Sequence, residues 1–200
     1  MTATETGTHF DLLIVRNFFD AETCAKIIAE MRASRGGPAT VYSSDALGSV
    51  DERTRKATRI APSRETTELV IQRLLEQKRA VEEHFCVAVS DCEEPQFLRY
   101  GVGDFFVAHQ DGNTGLLRLD REESRKVSVT ILLSRQSESP ASGSYCGGSL
   151  VFHEWRAQPA RGSFAFGGDE GTLVAFRPET THEVTPVTHG ERFSIACWYT

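Results

Sequence analysis

The sequence predicts an α+β fold in which N-terminal helices buttress one sheet of a C-terminal jelly roll, a double-stranded β-helix. Helical periodicity is confined to about residues 10–90. From about residue 95 to 200, short apolar runs alternate with Gly, Pro and Asp breaks. Such spacing is typical of a β-sandwich or jelly roll. The length of 200 residues suits a single domain that spans the chain.

The N-terminal part is predicted to form one strand and two helices. The apolar stretch Phe10–Phe19 favours a strand. Asp20 can cap the next helix, which Gly36-Gly37-Pro38 ends. The polar stretch Tyr42–Thr58 is expected to be a loop beside a short strand, and a second helix is expected over Ser63–His84. The apolar stripe of the first helix consists of Cys24, Ile27, Ile28 and Met31. That of the second consists of Ile71, Leu74 or Leu75, Val81 and Phe85.

The C-terminal part is predicted to consist of strands. The runs are Gln96–Tyr100, Phe105–His109, Val127–Leu133, Ser149–His153, Ser163–Phe166, Thr172–Phe176, His182–Val187 and Phe193–Tyr199. The Ser- and Gly-rich stretch Ser134–Gly148 is predicted to be a mobile loop that could serve as a lid, and His189 is placed in a turn.

Composition excludes several classes of protein. The net charge of −6 argues against a nucleic-acid binder. The basic stretch Arg53–Arg59 is either a solvated surface loop or a contact for an anionic substrate. The polar start, Met1–His9, does not resemble a signal peptide, and Leu12–Val15 is too short to span a membrane. Five cysteines without metal-finger spacing predict reduced thiols in the cytoplasm.

Four polar residues suggest a metal site. His109 and Asp111 are separated by one residue, and His182 and Arg192 follow far downstream. Two imidazoles and one carboxylate are the facial triad that binds non-haem Fe(II) and leaves coordination positions open. Side chains two residues apart on a strand share a face, so we expect His109 and Asp111 to point the same way. Arg192 would hold the far end of a metal-bound co-substrate.

Three motifs carry a family resemblance between Phe97 and Tyr199. Leu98–Gly103 followed by His109-x-Asp111 resembles the entry motif of the prolyl 4-hydroxylase-like Fe(II)/2-oxoglutarate dioxygenases. Gly147–Phe152 resembles their Gly-Gly strand. His182–Val187, then Gly190-Glu191-Arg192 and Trp198, is similar to their closing motif.

The resemblance implies Fe(II) ligation by His109, Asp111 and His182. It also implies 2-oxoglutarate and O₂ as co-substrates, with ascorbate as a stimulant. Arg192 would pair with the C5 carboxylate of 2-oxoglutarate, and Tyr100 would donate a hydrogen bond to this co-substrate. Some relatives have a second tyrosine on the strand aligned with Val127–Leu133, and this strand is aliphatic here, so Thr130, Ser128 or Ser194 is expected to supply that hydrogen bond. Val184 shares the strand parity of His182 and is expected to line the co-substrate pocket.

The expected reaction is hydroxylation of an unactivated C–H in a proline-like residue, peptidyl or free, or in a small metabolite, with release of succinate and CO₂. Retention of Asp111 favours hydroxylation over halogenation. Arg55 and Arg59 are candidates for binding an acidic substrate, and Trp198 for lining its pocket. Two alternatives stay open: a non-catalytic jelly-roll binding module or degenerate oxygenase, and a cupin-like metalloenzyme that needs no 2-oxoglutarate. The oligomeric state is not predicted.

Overall fold

A computed structural model of the chain describes residues 10–40, 50–112, 125–154 and 162–200. The helices are α1 (Ala21–Ala33), α2 (Arg64–Glu76) and α3 (Lys78–Phe85). The strands before residue 125 are β1 (Leu12–Val15), β2 (Gly36–Pro38), β3 (Arg55–Lys56), β4 (Thr58–Ile60), β5 (Gln96–Tyr100) and β6 (Phe105–His109). Those after it are β7 (Val127–Leu132), β8 (Arg135–Gln136), β9 (Ser144–Gly147), β10 (Leu150–His153), β11 (Ser163–Phe166), β12 (Leu173–Phe176), β13 (Thr181–Val184), β14 (Val187–His189) and β15 (Arg192–Tyr199).

Two sheets form the walls of the jelly roll. The major sheet has seven strands in the order β1-β12-β7-β15-β5-β4-β2, and the minor sheet has five in the order β11-β10-β13-β6-β3. The neighbouring strands in both sheets pair antiparallel. The crossovers in both orders are those of a double-stranded β-helix, so the predicted fold class is confirmed.

The two faces of the major sheet carry different side chains because residues alternate along a strand. On β15, Phe193, Ile195, Cys197 and Tyr199 belong to the large core cluster that also contains buried residues of all three helices. The residues between them, Arg192, Ser194, Ala196 and Trp198, therefore face the interior of the roll. The helices thus cover the outer face of the sheet, as the sequence predicted, and the inner face is left for the site.

The helical region differs from the prediction in its details. Asp20 caps α1 by accepting a hydrogen bond from the Thr23 N–H at 2.7 Å, as expected. The second predicted helix is divided at Gln77 into α2 and α3. Its buried stripe is Val70, Leu74, Val81 and Phe85. Ile71 is only half-buried and Leu75 is exposed. The helix carries two adjacent apolar rows, and the row with Val70 and Leu74 is the one that packs against the sheet.

Three predicted loops or turns are partly strands. The Ser134–Gly148 stretch contains β8 and β9, which form a small three-stranded sheet with β14, so the prediction of one continuous loop was wrong. Residues 137–143 between these strands form no regular element, and their role as a lid stays a prediction. His189 ends β14 instead of lying in a turn. Gly36–Pro38 forms an edge strand on β4, a position where proline is tolerated because an edge strand can leave its N–H side unpaired. Of the loop Tyr42–Thr58, residues 42–49 lie outside the described residues.

Within the described ranges, no helix is both long and apolar enough to cross a membrane.

Candidate functional site

His109, Asp111 and His182 converge at one end of the barrel interior. His109 ends β6, and His182 on β13 is its Cα partner across the antiparallel pair. The two carboxylate oxygens of Asp111 lie 3.6 Å from the Nε2 atoms of His109 and His182, one each. The three potential ligand atoms all lie within 4.8 Å of one another. This spacing allows all three to bind one metal ion.

Both imidazoles present Nε2 to the cluster. The Nδ1 atom of His109 lies 2.8 Å from the carbonyl oxygen of Val107, and that of His182 lies 2.9 Å from the carbonyl oxygen of Thr180. A carbonyl oxygen can only accept, so Nδ1 carries the hydrogen and the Nε2 lone pair is free. Histidines that bind metals are commonly oriented in this way.

The main chain of Asp111 is held on both sides, although β6 has already ended. Its N–H donates to the carbonyl of Pro178 at 2.9 Å, and its carbonyl accepts from Nη1 of Arg125 at 3.0 Å. Asp111 lies in a bend after the strand, so strand alternation is not what places it beside His109. The contacts to Pro178 and Arg125 hold it there instead.

Arg125 and Glu93 brace this bend. The guanidinium of Arg125 is buried and pairs with both carboxylate oxygens of Glu93, at 2.5 and 2.9 Å. Its Cζ also lies 3.7 Å from the ring centroid of Trp198. One buried cation therefore connects the main chain of Asp111 with Trp198. Neither Arg125 nor Glu93 belongs to a motif, and the sequence analysis missed both.

The electrostatics favour the metal-binding protonation states. Burial raises the pKa of Asp111, but the adjacent His182 and His109 outweigh it and hold that pKa well below its usual range. Burial lowers the pKa of His182 to about 4, and repulsion from His109 adds to this effect. At neutral pH the carboxylate is therefore ionised and the imidazole of His182 is neutral. These are the forms that bind a divalent cation.

The lowered pKa of His182 predicts acid-sensitive folding of the metal-free protein. Between pH 6.5 and 4 the unfolded chain takes up a proton at His182 that the folded chain does not. The free energy of unfolding should therefore fall through this window as pH decreases, by up to about 3 kcal/mol. Denaturant titrations of chelator-treated protein at several pH values measure it. His182→Gln should have a flatter profile there, and equal slopes would contradict the assignment.

Arg192 lies deeper in the same interior and is 1% exposed. Its Nη1 donates to Ser194 Oγ at 2.6 Å, and its Cζ lies 5.1 Å from the ring centroid of Tyr100. Nε and Nη2 have no hydrogen-bond partner among the described residues. A buried guanidinium with unused donors is costly without an anion, which points to an anionic ligand. A Cβ at Gly148 would lie 3.1 Å from its Cδ, so glycine leaves room for this side chain.

Part of the inner face of the major sheet is open. Thr130 on β7 and Ala196 on β15 are Cα partners on central strands of the sheet, yet both are only half-buried. A residue at the centre of a sheet keeps such exposure where no side chain fills the space in front of it. Ser194 and Val184, in contrast, are buried. Thr130 and Ala196 therefore border a cavity in the interior that Arg192 and the two histidines also face.

The remaining predicted residues lie at different distances from this cavity. Trp198 is buried on the inner face, and its Nε1 has no partner in the described part of the chain. Arg59 is exposed and is the Cα partner of Leu98 on the inner face of the sheet. Arg55 is buried; its Nη1 donates to the Thr40 carbonyl at 3.0 Å and its Cζ lies 4.7 Å from the Phe106 ring centroid. Only Arg59 is therefore fully available to a ligand.

Phe106 stacks on His109, with ring centroids 3.6 Å apart and planes at 18°. Simple alternation would put residues 106 and 109 on opposite faces. A register shift between the pairs His182–His109 and Val184–Phe106 adds a residue on β6 and brings both rings to the same side. No sequence signal identified this bulge, so the stack was missed.

The sequence profile of the 2OG-Fe(II) oxygenase superfamily matches residues 95–200. The chain belongs to this superfamily. Membership implies Fe(II), 2-oxoglutarate and O₂, and the residues fit this set: two Nε2 atoms and a carboxylate for the metal, and a buried cation with free donors for a dicarboxylate.

Other comparisons agree with the family. A PKHD-type hydroxylase of Cupriavidus pinatubonensis is 32% identical over 108 residues, which are 52% of this chain and 41% of that protein. The chain thus matches less than half the length of that relative. A Pseudomonas putida prolyl-4-hydroxylase has the same fold, with a TM-score of 0.69, 22% identity and coverage of 96% of this chain and 92% of that one. A Trichoplax adhaerens prolyl hydroxylase bound to a hypoxia inducible factor peptide fragment gives a TM-score of 0.69 at 16% identity, covering 96% and 84%.

Proposed function

We propose that the protein is an Fe(II)- and 2-oxoglutarate-dependent hydroxylase. Its substrate would be a proline-like residue, peptidyl or free, or a small metabolite, oxidised at an unactivated C–H with release of succinate and CO₂. One observation carries the proposal: the buried guanidinium of Arg192, with two donor atoms that have no partner among the described residues, faces the same interior of the roll as the His–Asp–His cluster. That pairing matches a co-substrate with an anion at each end.

Each inner residue has a defined role in this proposal. His109, Asp111 and His182 would hold the metal, which supplies the redox chemistry that couples 2-oxoglutarate decarboxylation to C–H oxidation. Arg192 would donate two parallel hydrogen bonds to the distal carboxylate. The further co-substrate contacts would come from Tyr100, Ser194, Thr130 and Val184. Ser194 already contacts Arg192 and so orients its guanidinium.

The substrate would be bound by Trp198 and by the arginines Arg55 and Arg59 near the edge of the sheets. The open Nε1 of Trp198 is a donor for a carbonyl oxygen, which a peptide offers. Arg59 is exposed and can meet a carboxylate-bearing substrate, whereas the guanidinium of Arg55 is partly engaged by Thr40 and Phe106. The likeness to two prolyl hydroxylases of known structure supports a proline-containing substrate, and the likeness to a PKHD-type hydroxylase supports hydroxylation. The cytoplasmic location and the single-domain organisation, which the sequence suggested, are proposed on the sequence alone.

The proposal is tested by substrate-stimulated turnover of 2-oxoglutarate. Pools of proline-containing peptides, free amino acids and small metabolites are incubated with protein, Fe(II), 2-oxoglutarate and ascorbate, and succinate is quantified. We expect at least one pool to raise succinate above the substrate-free rate and to gain one oxygen atom by mass spectrometry. Ligand-induced thermal stabilisation without succinate from any pool would instead support a non-catalytic binding module. Turnover independent of 2-oxoglutarate would support a metal-only enzyme.

A further inference from the structure

Two of the five cysteines lie close together on the helix-covered face of the major sheet, opposite the face that carries Arg192 and Trp198. Cys92 precedes β5 and forms an isolated antiparallel bridge with Tyr199 of β15. Cys197 lies two residues before Tyr199 on the same face of β15, so it is the diagonal neighbour of Cys92. Both side chains belong to the core beneath the helices, Cys197 within it and Cys92 at its edge. The Cys197 thiol donates to the carbonyl oxygen of Glu93, the residue that follows Cys92, at 3.0 Å, so its sulfur is directed toward the Cys92 segment.

The surroundings give the two thiols different reactivity. Cys92 is half-buried, whereas Cys197 is 1% exposed. The neighbouring Cys197 lowers the pKa of the Cys92 thiol, whereas the neighbouring Cys92 and burial both raise the pKa of Cys197. The accessible member is therefore the better nucleophile, and the buried member is positioned to react with it second. Redox-active cysteine pairs likewise combine a more accessible thiol of lowered pKa with a resolving thiol.

We propose that Cys92 and Cys197 are a site of reversible oxidation that forms a disulfide in response to a hydroperoxide. The Cys92 thiolate attacks one peroxide oxygen, the O–O bond breaks, and a sulfenic acid and hydroxide result. The Cys197 sulfur then attacks the Cys92 sulfur, and the S–O bond breaks as the S–S bond forms. Two thiols are oxidised by two electrons, hydrogen peroxide is reduced, and the released protons complete two water molecules.

Formation of the disulfide would affect the active site by changing the contacts of Glu93. The Cys197 thiol donates to the carbonyl of Glu93 at 3.0 Å, and disulfide formation removes that donor. The Glu93 N–H donates to the Trp198 carbonyl at 2.8 Å, and its carboxylate holds Arg125, which contacts the main chain of Asp111. The bridge thus alters the residue that supports both Trp198 and the bend carrying Asp111. This inference is independent of the substrate proposed above.

Thiol mapping tests the proposal on the full chain. The protein is treated with a small excess of hydrogen peroxide, digested without reduction and analysed by mass spectrometry. We expect a Cys92–Cys197 cross-linked peptide lacking two hydrogen atoms, reversed by dithiothreitol. Cys92→Ser should abolish it, whereas Cys86→Ser, which removes an exposed thiol elsewhere, should leave it intact. Absence of the cross-link in a folded wild-type sample, or oxidation of Cys92 only to sulfinic acid, would overturn the proposal.

Tryptophan fluorescence gives a second readout near the site. The chain has two tryptophans, so in a Trp155→Phe background Trp198 is the sole tryptophan, which excitation beyond the tyrosine absorption band observes selectively. Peroxide should change its emission reversibly, and Cys92→Ser should remove that response. A peroxide response that persists unchanged in Cys92→Ser would show that the pair is not its source.

Discussion

His109→Ala should abolish the weak visible charge-transfer band that Fe(II) and 2-oxoglutarate are expected to give with the wild-type protein in the absence of oxygen. The imidazole supplies one of three ligand atoms that lie within 4.8 Å of one another. Losing even a residue that only supports a ligand typically weakens metal binding by about 10–100-fold. Removing a ligand itself should exceed that effect and reduce activity to background. Anaerobic difference spectroscopy with graded Fe(II) measures it.

The matched control for this variant is His153→Ala. His153 lies on β10, the neighbour of β13, and its Nε2 contacts Glu183 at 3.2 Å away from the cluster. Its removal should leave the band and the Fe(II) affinity unchanged. Circular dichroism confirms that both variants are folded. If His109→Ala kept the band, or if both variants lost it equally, the assigned metal site would be wrong.

Arg192→Met should weaken 2-oxoglutarate binding by one to two orders of magnitude. Charge-assisted hydrogen bonds contribute about 1.5–3 kcal/mol each, and methionine has a similar length without a donor. The wild-type protein should be stabilised by 2-oxoglutarate by about 2.7 kcal/mol at a concentration of 100 Kd, and the variant should lose most of this gain. Thermal melts over a 2-oxoglutarate titration, in the presence of a redox-inert divalent metal, measure the difference.

The same substitution should not destabilise the ligand-free protein. The Nε and Nη2 atoms of Arg192 are buried without partners among the described residues, so the guanidinium is costly until an anion arrives. We expect the melting temperature of ligand-free Arg192→Met to equal or exceed that of wild type. Arg99→Met is the control, because Arg99 is the Cα partner of Phe193 and contacts Glu191 on the opposite face of the sheet. Unchanged 2-oxoglutarate affinity in Arg192→Met would remove the basis of the proposed pocket.

Residue types, their spacing and the family resemblance together predicted the centre of the site. His109, Asp111, His182 and Arg192 were found because imidazoles, a carboxylate and a guanidinium carry specific chemistry and stand in motifs. The structure brings the first three together and directs Arg192 into the same interior. The fold class was also predictable, because short apolar runs between turn residues indicate strands even when the pairing of those strands is unknown.

Features that depend on tertiary contacts could not be predicted. Asp111 is held by the Pro178 carbonyl, Phe106 reaches His109 through a bulge, and Arg125 is fixed by Glu93. Each depends on a partner distant in sequence or on an irregularity that simple alternation does not describe. The Ser- and Gly-rich Ser134–Gly148 stretch was taken for a loop because its strands β8 and β9 are short and form a separate small sheet.

The alternation along β15 has an evolutionary consequence. Phe193, Ile195, Cys197 and Tyr199 pack against the helices, while Arg192, Ser194, Ala196 and Trp198 face the interior of the roll. One strand therefore carries two sets of side chains with separate tasks. Exchanges at the half-buried Ala196 should change the shape of the interior with little loss of folding free energy, so the scaffold can acquire new specificities without first being rebuilt.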